Sequence, residues 1–244
     1  MAQIFKVGGC VRDKFLGLDS KDIDFTFVCE NSQTVEEGWA EMKSWMIDRG
    51  FEIFLETPDC FTIRAKFPKD HKFTGLVADF VMARKEVGYT EGTRRPILEL
   101  GTLEDDLTRR DFTLNAMAED EDGNIIDLFN GQGHLGARLL KTPLSAEQTM
   151  MDDPLRFLRA LRFSITKGFF IHDSIIRAMK QPEIFDKLKL VVSAERIREE
   201  VAKMMAHDTP ATLRTLTRME AELPGLIELI FDRGLWLKPT FEKR

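Results

Sequence analysis

The sequence predicts an α+β protein, in which a small mixed sheet with helices is followed by an all-helical segment. Between residue 1 and about residue 137, short runs rich in β-branched and aromatic residues alternate with helical patterns. Beyond residue 138 these runs stop, and apolar residues recur at helical spacing. We therefore expect one domain over 1–137 and a second over 138–244.

The elements of the first domain follow from local patterns. A short apolar run ends at Gly8-Gly9, and this pair indicates a tight turn into the start of a helix. A strand is predicted over 22–28 and a helix over about 33–49. The interval 85–101 has neither pattern and contains Gly, Thr and Arg, so a loop is expected there. Further strands are predicted at 51–56, 61–67 and 75–83.

The second domain shows only helical periodicity. Ser193 is a partial N-cap signal for one of its helices. Pro210 and Pro224 are expected to bound the final helix. The predicted helices before it cover 152–166, 173–181 and 193–206.

Composition excludes several classes of protein. The chain has 244 residues, of which 43% are hydrophobic and 31% charged, as in an ordinary folded protein. Its three cysteines form no CxxC pair and its four histidines are scattered, so neither a disulfide framework nor a histidine-built metal site is indicated. No apolar run of 18 residues and no basic leader occurs, so we expect a cytoplasmic protein without a membrane partner.

Charge is distributed unevenly along the chain. Residues 1–137 contain 16 Lys and Arg against 26 Asp and Glu, a net charge of −10, whereas residues 138–218 contain 15 against 10, a net charge of +5. The acidic part is suited to cations and the basic part to phosphates. Two differently charged solvated faces would explain the same numbers.

Two aspartates in the segment KDIDFTF are the first candidates for chemistry. Asp22 and Asp24 share one face of a predicted strand, where like charges are costly unless a cation offsets them. Their oxygen ligands suit Mg²⁺, and Asp79 in a neighbouring predicted strand could add a third carboxylate for a two-metal phosphoryl-transfer site. The alternative is an edge strand with solvated aspartates.

Glycines and arginines suggest where a phosphate would bind. Gly8 and Gly9 lead into a helix whose first turn contains Arg12, a forked donor that Asp13 could orient. In the segment 103–118, Arg110 is a second candidate for a triphosphate contact, although the charges there also fit a salt-bridged helix end.

A row of arginines marks the second domain. Arg156, Arg159 and Arg162 recur every three residues and would lie along one side of a helix. Asp153 lies one turn before Arg156, so the two together offer donor and acceptor edges for a nucleobase. A solvated basic face is the alternative.

These segments resemble, in order, the motifs of the class II nucleotidyltransferases, the family of tRNA CCA-adding enzymes and bacterial poly(A) polymerases. VGGCVRD and KDIDFTF are similar to its GGxVRD and DxD motifs. LEDDLTRRDFTLNA is similar to LxxDLxRRDFTxNA, and DDPLRFLRALRF to EDPLRxLRxxRF. The stretches IIDLFNGQGHL and SAERIREE also resemble later family segments. The likeness covers roughly residues 4–205.

The resemblance implies a polymerase β-type nucleotidyltransferase head followed by a helical neck and the start of a body. It implies that Asp22 and Asp24 bind Mg²⁺, with Asp79 as the third catalytic carboxylate. The nucleotide-binding residues that it implies are Gly8, Gly9, Arg12, Arg110, Asp153, Arg156, Arg159 and Arg162, of which Asp153 and Arg156 read the base.

The implied reaction is the attack of an RNA 3′-hydroxyl on the α-phosphorus of CTP or ATP, with release of pyrophosphate. The implied product is a CCA end on tRNA, and no obligatory protein partner is inferred. The alternatives are A-only or poly(A) addition, a non-catalytic nucleotide- or RNA-binding remnant, and a nucleotidyltransferase for a protein or small molecule. Two departures from the family stand out: Asp152 replaces a glutamate, and most of the body and tail is missing, which bears on tRNA specificity.

Overall fold

A computed structural model describes residues 2–20, 22–89 and 96–231 of the chain. The chain divides into two compact units, Met1–Gln132 and Gly133–Arg244. The division falls close to the boundary at residue 137 that the sequence suggests.

The first unit is built around a mixed sheet. Its described strands are β1 (Gln3–Val7), β2 (Asp24–Val28), β3 (Glu52–Thr57), β4 (Thr62–Lys66), β5 (Val77–Met82), β6 (Arg84–Tyr89), β7 (Pro96–Leu100), β8 (Met117–Glu119) and β9 (Ile125–Asp127). Seven of these form one sheet in the order β3-β4-β5-β2-β1-β8-β9, in which β2 and β5 pair parallel and the other neighbours antiparallel. The remaining pair, β6 and β7, forms a separate antiparallel ribbon.

Short helices connect the strands of this unit. They are α1 (Gly9–Phe15), α2 (Val35–Asp48) and α3 (Leu103–Thr108), and α4 (Gly131–Gly136) begins at the end of the unit. The N-terminus of α2 has a capping box, because the Thr34 side chain accepts a hydrogen bond from the Glu37 backbone N–H and the Glu37 carboxylate accepts one from the Thr34 N–H. Thr102 and Asp105 cap α3 in the same way.

The two faces of the sheet are covered by different cores. One face carries Phe25 and Phe27 of β2 and packs with Met42 and Met46 of α2. The opposite face carries Phe5 and Val7 of β1, which pack with Leu107 of α3. Because side chains alternate along a strand, Asp24 and Thr26 point away from Phe25 and Phe27, toward the face that α3 covers.

The sequence predicted many elements of this unit correctly, but two of its stated predictions need correction. The strand predicted over 22–28 begins at Asp24, so Asp22 lies before the strand. The expected loop at 85–101 is largely the β6–β7 ribbon, and residues 90–95 lie outside the described part. The register of the ribbon shifts between Glu86 and Gly88, and Pro96 occupies the first position of β7. Bulges and strand-initial prolines interrupt the alternation on which a strand prediction depends.

The second unit is mainly helical. It contains α5 (Ala146–Asp152), α6 (Leu155–Lys167), α7 (Asp173–Met179), α8 (Pro182–Leu190), α9 (Ala194–His207), α10 (Thr209–Glu222) and α11 (Leu226–Phe231), and two short strands, β10 (Leu139–Leu140) and β11 (Phe170–Ile171), that pair parallel. Helix α6 packs against α9, and both bury apolar faces. Ser193 caps α9 by accepting a hydrogen bond from the Arg196 N–H, as predicted.

Two helix predictions in this unit need correction. The helix expected over 152–166 is interrupted at Asp153 and Pro154, because α5 ends at Asp152 and α6 begins at Leu155. The segment bounded by Pro210 and Pro224 is not the final helix, since α11 follows it.

In the described part of the chain, no helix is both long and apolar enough to cross a membrane.

Candidate active site

Three aspartates meet near the middle of the sheet in the first unit. Asp24 is the first residue of β2 and lies opposite Asp79 of β5 in the parallel pair. Asp22 precedes Asp24 by two residues and is exposed. Asp79 is itself paired with Arg64 of β4, at 3.6 Å between Oδ2 and Nη1. The carboxylates that the sequence selected are therefore neighbours in space, as predicted.

The surroundings of Asp24 disfavour its negative charge. Burial raises the pKa of Asp24 above its ordinary value, the Arg110 guanidinium lowers it, and the nearby Asp79 and Asp22 carboxylates raise it again. The net direction is upward, although the Asp24 side chain is exposed at the start of β2. A cation beside Asp24 would relieve both unfavourable effects.

The carboxylate oxygens at this place fit a hard divalent cation. Mg²⁺ takes oxygen ligands, keeps several waters and binds through one or two carboxylates together with substrate phosphates. Among the residues that the structure describes, no group of three His, Cys, Asp or Glu side chains is arranged to hold a metal. A cation at this place would be held by Asp22 and Asp24, with Asp79 beside them, and would complete its coordination with water and phosphate oxygens.

Asp106 organises the arginines next to this aspartate cluster. Its side chain is fully buried and accepts hydrogen bonds from Thr26 Oγ1 at 2.8 Å, Arg110 Nη2 at 2.8 Å and Arg109 Nη2 at 2.5 Å. Burial raises the pKa of Asp106, but the two guanidinium groups and the hydrogen bonds outweigh it and lower the pKa to about 2. Asp106 is therefore charged, and it holds both arginines in fixed positions.

Gly8 allows Arg110 to lie against the backbone. Its φ of 77° is in the left-handed region, and a Cβ atom there would lie 2.8 Å from Arg110 Nη1. Gly8 is also the N-cap of α1, so the predicted turn into a helix is confirmed. The glycine thus brings the start of α1 and the Arg110 guanidinium together at the edge of the aspartate cluster.

Arg12 has a more buried position than the sequence suggested. Its Nη2 lies 2.7 Å from Asp13 Oδ1, so the expected orientation by Asp13 is confirmed. However, Arg12 is 6% exposed, and its Nη1 donates to Asn115 Oδ1 at 2.6 Å. Asn115 in turn donates to Asp111 at 2.8 Å. Arg12 therefore ties α1 to the segment after α3, and the guanidinium nearer to solvent is that of Arg110.

In the second unit, the arginines of α6 share an acidic partner that the sequence did not indicate. Glu200 of α9 is buried, and its carboxylate lies 2.6 Å from Arg162 Nε and 3.7 Å from Arg159 Nη1. The alternative of a solvated basic face therefore does not describe these two side chains, which both face Glu200. Glu200 accepts a hydrogen bond from Arg162, which also lies 4.5 Å from the ring centroid of Phe163, and forms a longer ion pair with Arg159.

Asp153 and Arg156 both contact further groups of this unit. The Asp153 carboxylate pairs with Arg196 of α9 at 2.7 Å and accepts a hydrogen bond from the Leu155 N–H. Arg156 Nη1 donates to the Thr149 carbonyl at 3.1 Å. Asp153 has extended backbone angles at the end of α5, but its carbonyl accepts a hydrogen bond from the Arg156 N–H at 3.1 Å, so the two residues still lie one turn apart.

Comparison with known proteins places the chain in a family. Residues 4–141 match the model for the poly A polymerase head domain. The chain is 34% identical over 225 residues to the nucleotidyltransferase lcsQ of Purpureocillium lilacinum, and 38% identical over 218 residues to the CCA-adding enzyme of Pseudomonas putida. These alignments cover 83% and 85% of the chain but 36% and 51% of the relatives. The chain belongs to the class II family of CCA-adding enzymes and poly(A) polymerases.

The fold agrees with this class II assignment. The Bacillus stearothermophilus CCA-adding enzyme, solved in complex with CTP, matches with a TM-score of 0.69 and 29% identity. The match covers 92% of this chain and 50% of that one. The polymerase β-type head predicted from the motifs is thus confirmed. The chain spans about half or less of the length of these relatives.

The class II motifs pointed to the aspartates and arginines but not to the residues that position them. Thr26, Asp106 and Glu200 were not selected, although each lies in a segment that resembles a family motif. One available signal was spacing, because Thr26 follows Asp24 by two residues on the same strand face, and Asp106 of α3 precedes Arg110 by four residues. No comparable signal connects Glu200 with Arg162, which lies 38 residues away.

Proposed function

We propose that this chain is an RNA nucleotidyltransferase that adds C and A residues from CTP and ATP to the 3′ end of tRNA. The observation that carries the proposal is the meeting of Asp22, Asp24 and Asp79 beside Arg110, which Asp106 holds in place. Clustered carboxylates, one of them with a raised pKa (Asp24), next to a fixed guanidinium are suited to binding a cation and a polyphosphate together.

The reaction joins the RNA 3′ oxygen to the α-phosphorus of the nucleotide and breaks the bond from that phosphorus to the pyrophosphate oxygen. Asp22 and Asp24 would hold Mg²⁺, with Asp79 nearby, and the metal would supply activation of the hydroxyl and stabilisation of the charge on the phosphates. Arg110 and Gly8, with Gly9 and Arg12 behind them, would hold the triphosphate. Since phosphoryl transfer requires little covalent work from the protein, positioning and charge stabilisation would provide most of the acceleration.

The choice of base is assigned to the second unit. Asp153 and Arg156 present an acceptor and a forked donor, which are the groups that read the edge of a cytosine or an adenine. Arg159 and Arg162 would support the nucleotide from positions that Glu200 fixes. The Pseudomonas putida relative, named a CCA-adding enzyme, supports this choice of substrates.

A second candidate is the addition of A residues alone, as in poly(A) tailing. The family model that matches the chain describes the poly A polymerase head domain, which favours this alternative. Both candidates use the same chemistry and differ only in nucleotide choice and RNA.

The test is nucleotide incorporation on defined RNA ends. Purified protein is incubated with Mg²⁺, labelled CTP or ATP, and tRNA that ends before CCA, after the first C, or after CC. Addition of CC and then A supports CCA addition, whereas addition of A alone to every end supports the second candidate. Absence of incorporation on every RNA contradicts both.

A further inference from the structure

A cleft of about 500 Å³ in the helical unit has no role in the proposed chemistry. It lies between β11, α7 and α10, and its apolar lining includes Ile171, Ile176 and Met219. The exposed groups around this lining are charged or aromatic. The cleft therefore combines an apolar floor with a polar rim, as ligand sites do.

Two arginines of the cleft carry uncompensated charge. Arg177 of α7 and Arg218 of α10 are exposed, and neither forms an ion pair with any residue in the described ranges. The remaining charged residues of the lining are Lys180, Glu222 and Asp173. Lys180 pairs with Glu222 at 2.6 Å, so Asp173 is the one acidic side chain of the lining outside that pair. The net charge of the cleft is therefore positive. The surrounding stretch, residues 138–218, also has a positive net charge, +5.

An exposed aromatic ring stands beside these arginines. Phe170 is 70% exposed, although Phe169 next to it is buried. A single exposed apolar residue is common on protein surfaces. A ring beside unpaired guanidinium groups is the usual arrangement for an unstacked nucleotide, because the base stacks on the ring and the cations meet the phosphates.

We propose that this cleft binds a nucleotide of the RNA substrate, with the base stacked on Phe170 and its flanking phosphates held by Arg177 and Arg218. The inference rests on the proposed function, since it concerns how the RNA is gripped. It adds a site that is separate from the residues assigned to the incoming CTP or ATP.

The experiment measures equilibrium binding of fluorescently labelled tRNA that lacks its CCA end, over a series of salt concentrations. In the double variant Arg177→Ala/Arg218→Ala we expect the affinity to fall. The slope of log affinity against log salt concentration is negative, and it should become shallower by about 0.7 for each phosphate that the variant no longer neutralises. In Phe170→Ala we expect at least about a 5-fold loss of affinity with an unchanged slope.

Matched controls are available on the same unit. Arg214→Ala removes an exposed arginine of α10 that is outside the cleft, and Leu190→Ala removes an apolar side chain that is 73% exposed. Both should bind tRNA like the wild type. Phe170→Trp should retain affinity because it keeps a stacking surface, and Arg177→Lys/Arg218→Lys should retain most of the salt slope.

The outcomes separate this proposal from the proposed function. Wild-type affinity and slope in the double variant and in Phe170→Ala overturn the cleft assignment, whatever the enzyme adds to RNA. Weaker CTP binding in these variants with unchanged tRNA affinity assigns the cleft to free nucleotide and also overturns it. If the assignment holds, the variants raise the KM for tRNA and keep the wild-type rate at saturating tRNA. Failure of the wild type to add any nucleotide would count only against the proposed function.

Discussion

Asp106 is the side chain on which the geometry of the candidate site depends most. It is the acceptor for a threonine of β2 and for two arginines after α3, and it is fully buried. A buried carboxylate is stable only when its partners are in place, and removing such a group leaves the partner charges unpaired. Its contacts therefore couple the stability of the first unit to the position of Arg110.

Asp106 predicts how stability depends on pH. Its pKa is about 2 in the folded protein and near 3.9 in an unfolded chain, so the charged form stabilises the fold by about 2 kcal/mol above pH 4. Because the folded pKa is the lower one, this contribution is lost as the pH falls from about 4 to about 2. In urea unfolding, the wild type should have a higher free energy of unfolding than Asp106→Asn at pH 7. This difference should become smaller as the pH falls from about 4 to about 2.

The control for this titration is Asp19→Asn, which changes an exposed aspartate. It should follow the wild-type curve at every pH. A gap between wild type and Asp106→Asn that stays constant from pH 7 to pH 2 would contradict the role assigned to Asp106.

At the scale of elements, the glycines at the two ends of α1 allow the effect of backbone strain to be distinguished from the effect of contact with Arg110. Gly8 and Gly17 both have positive φ, 77° and 67°, but only at Gly8 would an added Cβ atom have a neighbour within 4 Å, the Arg110 guanidinium. Substitution by Ala at either glycine should cost roughly 1–2 kcal/mol of stability, because both force an L residue into the left-handed region. Only Gly8→Ala should also raise the KM for CTP, since it displaces Arg110.

Steady-state kinetics and thermal unfolding of the two glycine variants give the test. Equal kinetic effects of Gly8→Ala and Gly17→Ala would show that strain, and not the contact with Arg110, explains the result.

The packing of α6 on α9 depends on Glu200. This buried carboxylate holds Arg162 and Arg159, so Glu200→Ala leaves two guanidinium groups without it and should cost about 3 kcal/mol of stability or more. We also expect a weaker preference between CTP and ATP, because the two arginines lose their fixed orientation. Glu199→Ala is the matched control, since the Glu199 side chain is 70% exposed and its pair with Lys203 spans 3.9 Å.

Denaturation and competition between labelled CTP and ATP measure these effects. A Glu200→Ala protein as stable and as selective as Glu199→Ala would refute the role of Glu200.

Elements with strong periodicity were predicted from the sequence, and elements that depend on distant contacts were not. Helix α2 and strands β2 to β5 follow alternation or helical spacing and were found within a few residues. The β6–β7 ribbon was missed because a register shift and Pro96 break the alternation. The three-residue strands β8 and β9 were missed because such short segments have no measurable period; β8 forms by pairing with β1, and β9 by pairing with β8.

In the candidate site, too, contacts between residues distant in sequence could not be predicted. The aspartates and arginines could be selected because they belong to ordered motifs close together in sequence. Thr26 donates to Asp106 across 80 residues, and Arg12 to Asn115 across 103. Pairings over such separations are set by sheet order and helix packing, which a single sequence does not specify.

For the whole molecule, the acidic first part and the basic middle part assign different tasks to the two units. The first unit is rich in carboxylates and the second in arginines, as the proposed cation and phosphate sites require. Burial and, less strongly, the Asp79 and Asp22 carboxylates disfavour the charged form of Asp24 and raise its pKa. Sites kept in spite of such a cost are typically functional.

The most direct test of this account compares activity and stability in Asp24→Asn. Because the folded protein disfavours the charged form of Asp24, a neutral amide of the same shape should leave the melting temperature unchanged or raise it. Incorporation of labelled CMP and AMP into tRNA should fall at least about 100-fold, because a metal ligand is removed, while Asp19→Asn keeps the wild-type rate. Asp24→Asn with near wild-type incorporation, or with a loss explained by a lower melting temperature, would contradict the claim that this aspartate cluster is the catalytic centre.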